Sequence, residues 1–162
     1  MTGKPNTSQI KKAIENLIVF CEHNQWKVVL SQKKEDMFCN GVITLNQNHT
    51  PEVLYYSLLH EMGHAWLLTC DPNYEEKYKE LAKKPRRYST MTYKIARLKE
   101  EIEAWDVGLT FIEAMSLPIN RKNFERLRSE CISSYISWIS KKTPRKKHGT
   151  SSNNNAKCNG TV

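Results

Sequence analysis

LLHEMGHAWLL, residues 58–68, is the stretch on which the reading of this chain turns. His60 and His64 stand four apart. On an α-helix their imidazoles therefore leave one face a turn apart and can reach a single metal ion. Glu61 lies beside that face, where a carboxylate can polarise a metal-bound water. The alternative is an ordinary core helix whose histidines are satisfied by hydrogen bonds. The surroundings favour the metal. Leu54, Leu58, Leu59, Ala65, Leu67 and Leu68 predict a buried helix, and a buried His-Glu-His set is costly unless paired or metal-bound. Gly63 costs a helix ~1 kcal/mol, and is read as giving metal and substrate close access.

Outward from this motif the chain alternates between clear signals. Thr50-Pro51-Glu52 opens the motif helix with a cap, a proline at the first position and an acid in the first turn. Upstream, residues 42–45 (VITL) and 37–39 (MFC) flank Asn40-Gly41, the signature of a two-residue hairpin turn. Residues 26–30 (WKVVL) read as a further strand. Residues 8–23 carry Ile10, Ala13, Ile14, Leu17, Ile18 and Cys21 at helical spacing, with Ser8 or Thr7 as cap. Downstream, 73–84 reads as a short polar helix, 93–116 as a long helix, and 120–140 as a last helix buried through Phe124, Leu127, Cys131, Ile132, Tyr135, Ile136 and Ile139. The expected class is α+β: an N-terminal helix, a small, mostly antiparallel sheet, the motif helix and two further helices.

A metal site of this kind needs a third protein ligand. The extended motif of one zinc-protease class would place glycine at 67 and histidine at 70. Here Leu67 and Cys70 stand there, and a Cys70 thiolate would lie nearly two turns on, at the helix end. The better source is helix 93–116, with Glu100, Glu101, Glu103 and Asp106. Its apolar stripe is Ile95, Leu98, Ile102, Trp105, Leu109 and Ile112. At about 100° per residue, Glu101 and Asp106 lie roughly 70° to either side of the stripe, Glu103 roughly 130° away and Glu100 further still. Glu101 is the leading candidate, with Glu103 and Asp106 as alternatives. All four also fit a solvated acidic face paired with Arg97 and Lys99.

The order helix, small sheet ending in Val42-Ile43-Thr44-Leu45, HExxH helix, then a helix with Glu101-Ile102-Glu103-Ala104 resembles the ImmA/IrrE-type zinc metallopeptidases, small gluzincin-like zincins. The resemblance covers about residues 25–118. It is specific at Leu59-His60-Glu61-Met62-Gly63-His64. Val107-Gly108 stands where the family often has Phe-Ala. The resemblance implies a minimal zincin fold and Zn²⁺ held by His60, His64 and Glu101, the last through an E-x-x-A signature. It implies water as fourth ligand, Glu61 as general base, and a protein or peptide substrate. By analogy with other zincins the substrate would lie along a strand exposed at Val42–Leu45. Tyr88, Tyr93, Tyr135 and His49 are the candidate donors to the oxyanion. Two rival functions stand beside this one. One is a zinc-binding partner protein without catalysis. The other is an accessory nucleic-acid binder.

Composition bounds these rivals. The chain has 162 residues and a net charge of +8. Six of those eight charges come from Lys141, Lys142, Arg145, Lys146, Lys147 and Lys157 in the acid-free segment 141–162, so residues 1–140 are nearly neutral. Weak, salt-sensitive contact with nucleic acid would rest on this tail, which is expected to be disordered. Tyr74, Tyr78, Tyr88 and Tyr93 with the basic run 83–87 offer a second surface for RNA or peptide. Residues 1–140 are expected to form one domain, and no separate DNA-binding domain fits. No apolar run approaches the roughly 18 residues that span a bilayer, and the first residues lack a signal peptide's apolar block. The five cysteines are odd in number and lack metal-knuckle or redox spacing. Cys21, Cys39 and Cys131 look like core filler. A cytoplasmic protein with free thiols is expected.

Overall fold

The computed structural model describes residues 4–32, 35–82 and 90–141. The fold is α+β, and its described elements run α1 (Thr7–His23), β1 (Lys27–Ser31), β2 (Met37–Cys39), β3 (Val42–Asn46), α2 (Pro51–Cys70), α3 (Tyr74–Lys77), α4 (Met91–Ala114) and α5 (Arg121–Ser140). Apart from Lys141, the basic tail lies outside the described residues, as do Tyr88 and the basic run 83–87.

The N-terminal helix is started by Asn6, one residue before the expected Thr7 or Ser8. Its side chain accepts from the Gln9 backbone N–H at 2.9 Å while the Gln9 side chain accepts from Asn6 N–H at 2.9 Å, a reciprocal capping box. At the far end Gln25 takes a positive φ of 62° and turns the chain into β1. Trp26, read as a strand residue, instead sits just before the strand, 3% exposed in the core.

Asn40 and Gly41 have φ of 49° and 76°, as a type I′ hairpin turn demands. They join β2 and β3 antiparallel, with Phe38 opposite Ile43. The sheet as a whole corrects the expectation. Its order is β1-β3-β2, and β1 pairs with β3 in parallel, from Lys27 opposite Val42 to Ser31 opposite Asn46. The sheet is therefore mixed, with its longer pairing parallel. Turn chemistry dictates only the hairpin partner; nothing local in β1 says which edge of β3 it takes. One consequence bears on function. β3 is paired on both sides, so Val42–Leu45 is not an exposed strand, and the edge strand of the hairpin is β2.

Thr50 caps α2 through Val53 N–H, with Pro51 at the first position. The helix is enclosed on almost every side: Tyr55, Tyr56, Leu58, Leu59, Met62 and Ala65 are fully buried. Such all-round burial marks a central helix rather than an amphipathic surface one. Only toward its C-terminal end do Trp66 and Leu68 reach the surface, so Leu68 departs from the expected buried set. The start of α2 is tied to the α4–α5 connection. Tyr55 donates to the Pro118 carbonyl at 3.1 Å, and Asn123 donates to the Glu52 carboxylate at 2.8 Å.

α4 crosses α2 at unusually short range. A Cβ built on Gly63 would stand 2.1 Å from the Ala104 carbonyl oxygen, and one on Gly108 would stand 3.0 Å from that of Leu59. Gly63 therefore serves helix–helix contact, not metal or substrate access as read from the sequence. The contact also rotates α4 away from its expected stripe. Of the expected stripe Trp105 and Ile112 are buried, Leu98, Ile102 and Leu109 are half-buried and Ile95 is exposed, whereas Glu100, Glu101, Ala104 and Gly108 are buried. Small residues let the two backbones meet, and that proximity sets the buried face together with Trp105, Phe111 and Ile112. On α5 only Phe124 is fully enclosed, and Ile136 is exposed. No helix among the described residues is long and apolar enough to cross a membrane.

Candidate metal centre

α2 supplies His60, Glu61 and His64, and α4 supplies Glu101. His60 Nε2 lies 3.2 Å from His64 Nε2 and 3.2 Å from Glu101 Oε2, and His64 Nε2 lies 3.5 Å from the same oxygen. Three atoms bound tetrahedrally at about 2.0–2.1 Å stand about 3.3 Å apart. The triangle of two nitrogens and one oxygen thus has the dimensions that a small divalent ion needs. The remaining valences support that reading. Glu101 Oε1 accepts the Tyr135 hydroxyl at 2.7 Å, leaving Oε2 for the triangle. The His60 ring stacks on Trp105 with centroids 4.5 Å apart and planes 22° apart, and its buried Nδ1 has no hydrogen-bond partner. A histidine left with an orphaned buried nitrogen is a poor resting arrangement on hydrogen bonds alone.

Electrostatics divide the two histidines. Burial pulls His60 below its ordinary range, against the pull of Glu101. Burial acts the same way on His64, but the carboxylates of Glu100 and Glu101 outweigh it and push His64 up to about 10. Glu101 is held well below the usual carboxylate range: burial opposes its charge, and hydrogen bonds from both histidines prevail. Burial raises Glu61 to about 7, with His64 and a backbone hydrogen bond from Phe38 pulling down and the Glu101 and Asp36 charges pushing up. A carboxylate poised near neutrality beside a metal-shaped triangle suits proton transfer.

The triangle opens into a cleft of about 900 Å³ between the β2 region, α2, α4 and α5. Asp36 stands on its β2 side, where it accepts from the Asn46 backbone N–H at 2.7 Å and pairs with His49 Nε2 at 2.8 Å. Of the proposed oxyanion donors, His49 and Tyr135 line this cleft. Tyr135 is committed to Glu101, and His49 to Asp36. Tyr93 packs edge-on against Trp138, and Tyr88 lies outside the described residues.

Glu103 and Asp106, the alternative ligands, do not join the triangle. Glu103 accepts from Lys77 at 2.8 Å and from the Tyr78 hydroxyl, and Asp106, itself exposed, accepts from Arg128 at 2.5 Å. Cys70 is exposed at the end of α2 beside Thr69. Of the proposed tyrosine surface, Tyr88 and the basic run 83–87 lie outside the described residues. Tyr74 and Tyr78 turn their hydroxyls onto Glu100 and Glu103, and Tyr78 and Tyr93 are buried. Cys39 is exposed rather than core filler.

Two residues near the triangle were not anticipated. Glu100, placed by the stripe furthest from the core, is 4% exposed and faces His64. Cys131 on α5 brings its Sγ within 4.8 Å of ligand atoms of His60 and Glu101. The signal for Glu100 was the small pair Ala104 and Gly108, which with Glu100 forms an i, i+4, i+8 row on the face that meets α2. Compared with protein-family models, with curated proteins and with solved structures, the chain finds no match in any of the three.

Proposed function

We propose that the chain is a zinc-dependent metallopeptidase of minimal zincin type, similar in plan to the ImmA/IrrE-type enzymes, that hydrolyses a peptide bond in a protein substrate. The observation that carries this reading is the triangle of His60 Nε2, His64 Nε2 and Glu101 Oε2, with edges of 3.2, 3.2 and 3.5 Å, in a cleft that the buried Glu61 also lines. Two imidazoles and a carboxylate are a donor set that suits zinc. When bound, zinc supplies Lewis-acid polarisation of a carbonyl and acidification of a water.

The chain's own residues do the rest. Glu61 takes the proton from the attacking water and returns it to the leaving amine. Tyr135 and Trp105 hold Glu101 and His60 in place. The cleft admits an extended peptide past β2, whose outer edge at Met37–Cys39, paired with no further strand among the described residues, replaces Val42–Leu45 as the strand it would lie along. The described cysteines are free thiols, which suits a cytoplasmic setting.

Metal analysis of the purified, untagged protein beside His64→Ala, followed by mass spectrometry of peptides from an unfolded protein mixture, tests the proposal. One zinc per chain, lost in His64→Ala, and new peptide ends that vanish in Glu61→Gln are expected. Zinc without Glu61-dependent cleavage would support a partner-binding zinc protein instead. No zinc in the wild type, even when it is supplied, would end the metallopeptidase reading.

A further inference from the structure

The buried carboxylate of Glu100 has a structure around it that the reaction as described leaves unused. At 4% exposure it must be compensated. Its Oε2 takes the guanidinium of Arg97, and its Oε1 takes the Tyr74 hydroxyl at 2.7 Å. That same Oε1 lies 3.6 Å from His64 Nδ1. The His64 ring thus lies between two carboxylates: Nε2 looks at Glu101 and His60, and Nδ1 looks at Glu100. His60 has no counterpart, since its Nδ1 is buried without a partner and its ring is held by the Trp105 stack.

A histidine that binds a metal through Nε2 must carry its proton on Nδ1. An acceptor on that side selects the tautomer, sets the ring plane and raises the donor strength of Nε2. We propose that Glu100 is a positioning residue of the metal centre, which holds His64 in its Nδ1–H form and is itself held by Arg97 and Tyr74. This rests on the metal-site reading above. It separates the adjacent glutamates by role: Glu101 gives an oxygen to the ion, while Glu100 orients a ligand. It also gives α3 a function, since Tyr74 links that short helix to the metal centre through Glu100.

The simpler role for Glu100 is structural, tying α3 and Arg97 to the middle of α4. Zinc affinity by chelator competition, thermal unfolding without metal, and long-range ¹H–¹⁵N spectra of the histidines in the zinc form distinguish the two. Glu100→Gln is expected to weaken zinc about 10- to 100-fold, and Tyr74→Phe to weaken it less, with binding still at one ion per chain. The wild-type zinc form is expected to show His64 protonated at Nδ1 with a hydrogen-bonded, downfield proton. That spectrum stands whether or not Glu100→Gln folds. Unchanged zinc affinity in a folded Glu100→Gln, or His64 bound through Nδ1, would overturn the proposal while leaving the metal site intact. A wild-type protein that binds no zinc would overturn both, and is recognised by that result alone.

Discussion

In the proposed centre, His64 is where a proton and the metal would compete. Its imidazole is pushed up to about 10 by Glu100 and Glu101, yet a ligand nitrogen must be free of its proton. Zinc binding near neutrality should therefore release a proton, and apparent affinity should rise about tenfold per pH unit below the His64 pKa. Calorimetry in buffers of different ionisation enthalpy checks the release. Stability of the metal-free protein follows the same group with a defined sign. The folded pKa lies above the ordinary 6.5, so the His64 contribution is complete below 6.5 and is lost as pH rises toward 10. Glu61, raised from 4.5 to about 7, adds a loss between those values. Across that lower range His60, which burial holds below 6.5, contributes in the opposite direction, so the metal-free melting temperature should fall with rising pH through the His64 window, and His64→Gln should flatten that fall. Glu61→Gln, by contrast, should keep its zinc and lose hydrolysis by about 10²- to 10⁴-fold, measured on whichever peptide the wild type is found to cut.

At the scale of elements, the contact between α2 and α4 decides the site. Gly63→Ala would improve helix propensity by ~1 kcal/mol, yet its methyl would meet the Ala104 carbonyl at 2.1 Å. Neither atom is a flexible side-chain end, so the helices must separate. A net loss of about 1–3 kcal/mol or more is expected in denaturant unfolding. Zinc affinity should fall with it, because Glu101 moves away from His60 and His64. The same contact explains what the apolar pattern of α4 misread. Ile95, Leu98, Ile102 and Leu109 form a plausible stripe, but a helix seated on glycine and alanine turns its small face inward. The placing of Glu101 at the core was legible in the sequence because it borders both faces; that of Glu100 was not, because it borders only the small one. α5 contributes from across the cleft through the Tyr135 hydroxyl on Glu101. Tyr135→Phe should loosen zinc by about tenfold and can be read by the same chelator competition.

For the whole molecule, the proposed metal ligands come from two helices separated in the chain by α3 and the residues around it. An ion held by both helices binds the folded state and not the unfolded one, so it stabilises by mass action. Removing it with a chelator should lower the melting temperature, and zinc at 100 times its dissociation constant should restore about 2.7 kcal/mol. A melting temperature indifferent to chelator would count against a centre that joins α2 to α4.

The local features were legible because local chemistry specifies them. Asn40-Gly41 needs only its own backbone to make a hairpin. Thr50-Pro51 needs only its own helix to make a start, and His60 and His64 share a face by helical pitch alone. Tertiary structure decided the rest. Whether β1 joins β3 in parallel, whether β3 or β2 keeps a free edge, and which side of α4 faces α2 depend on atoms far apart in the chain. The closest of those approaches, Gly63 on Ala104, is made by the absence of a side chain, which hydrophobic periodicity does not register.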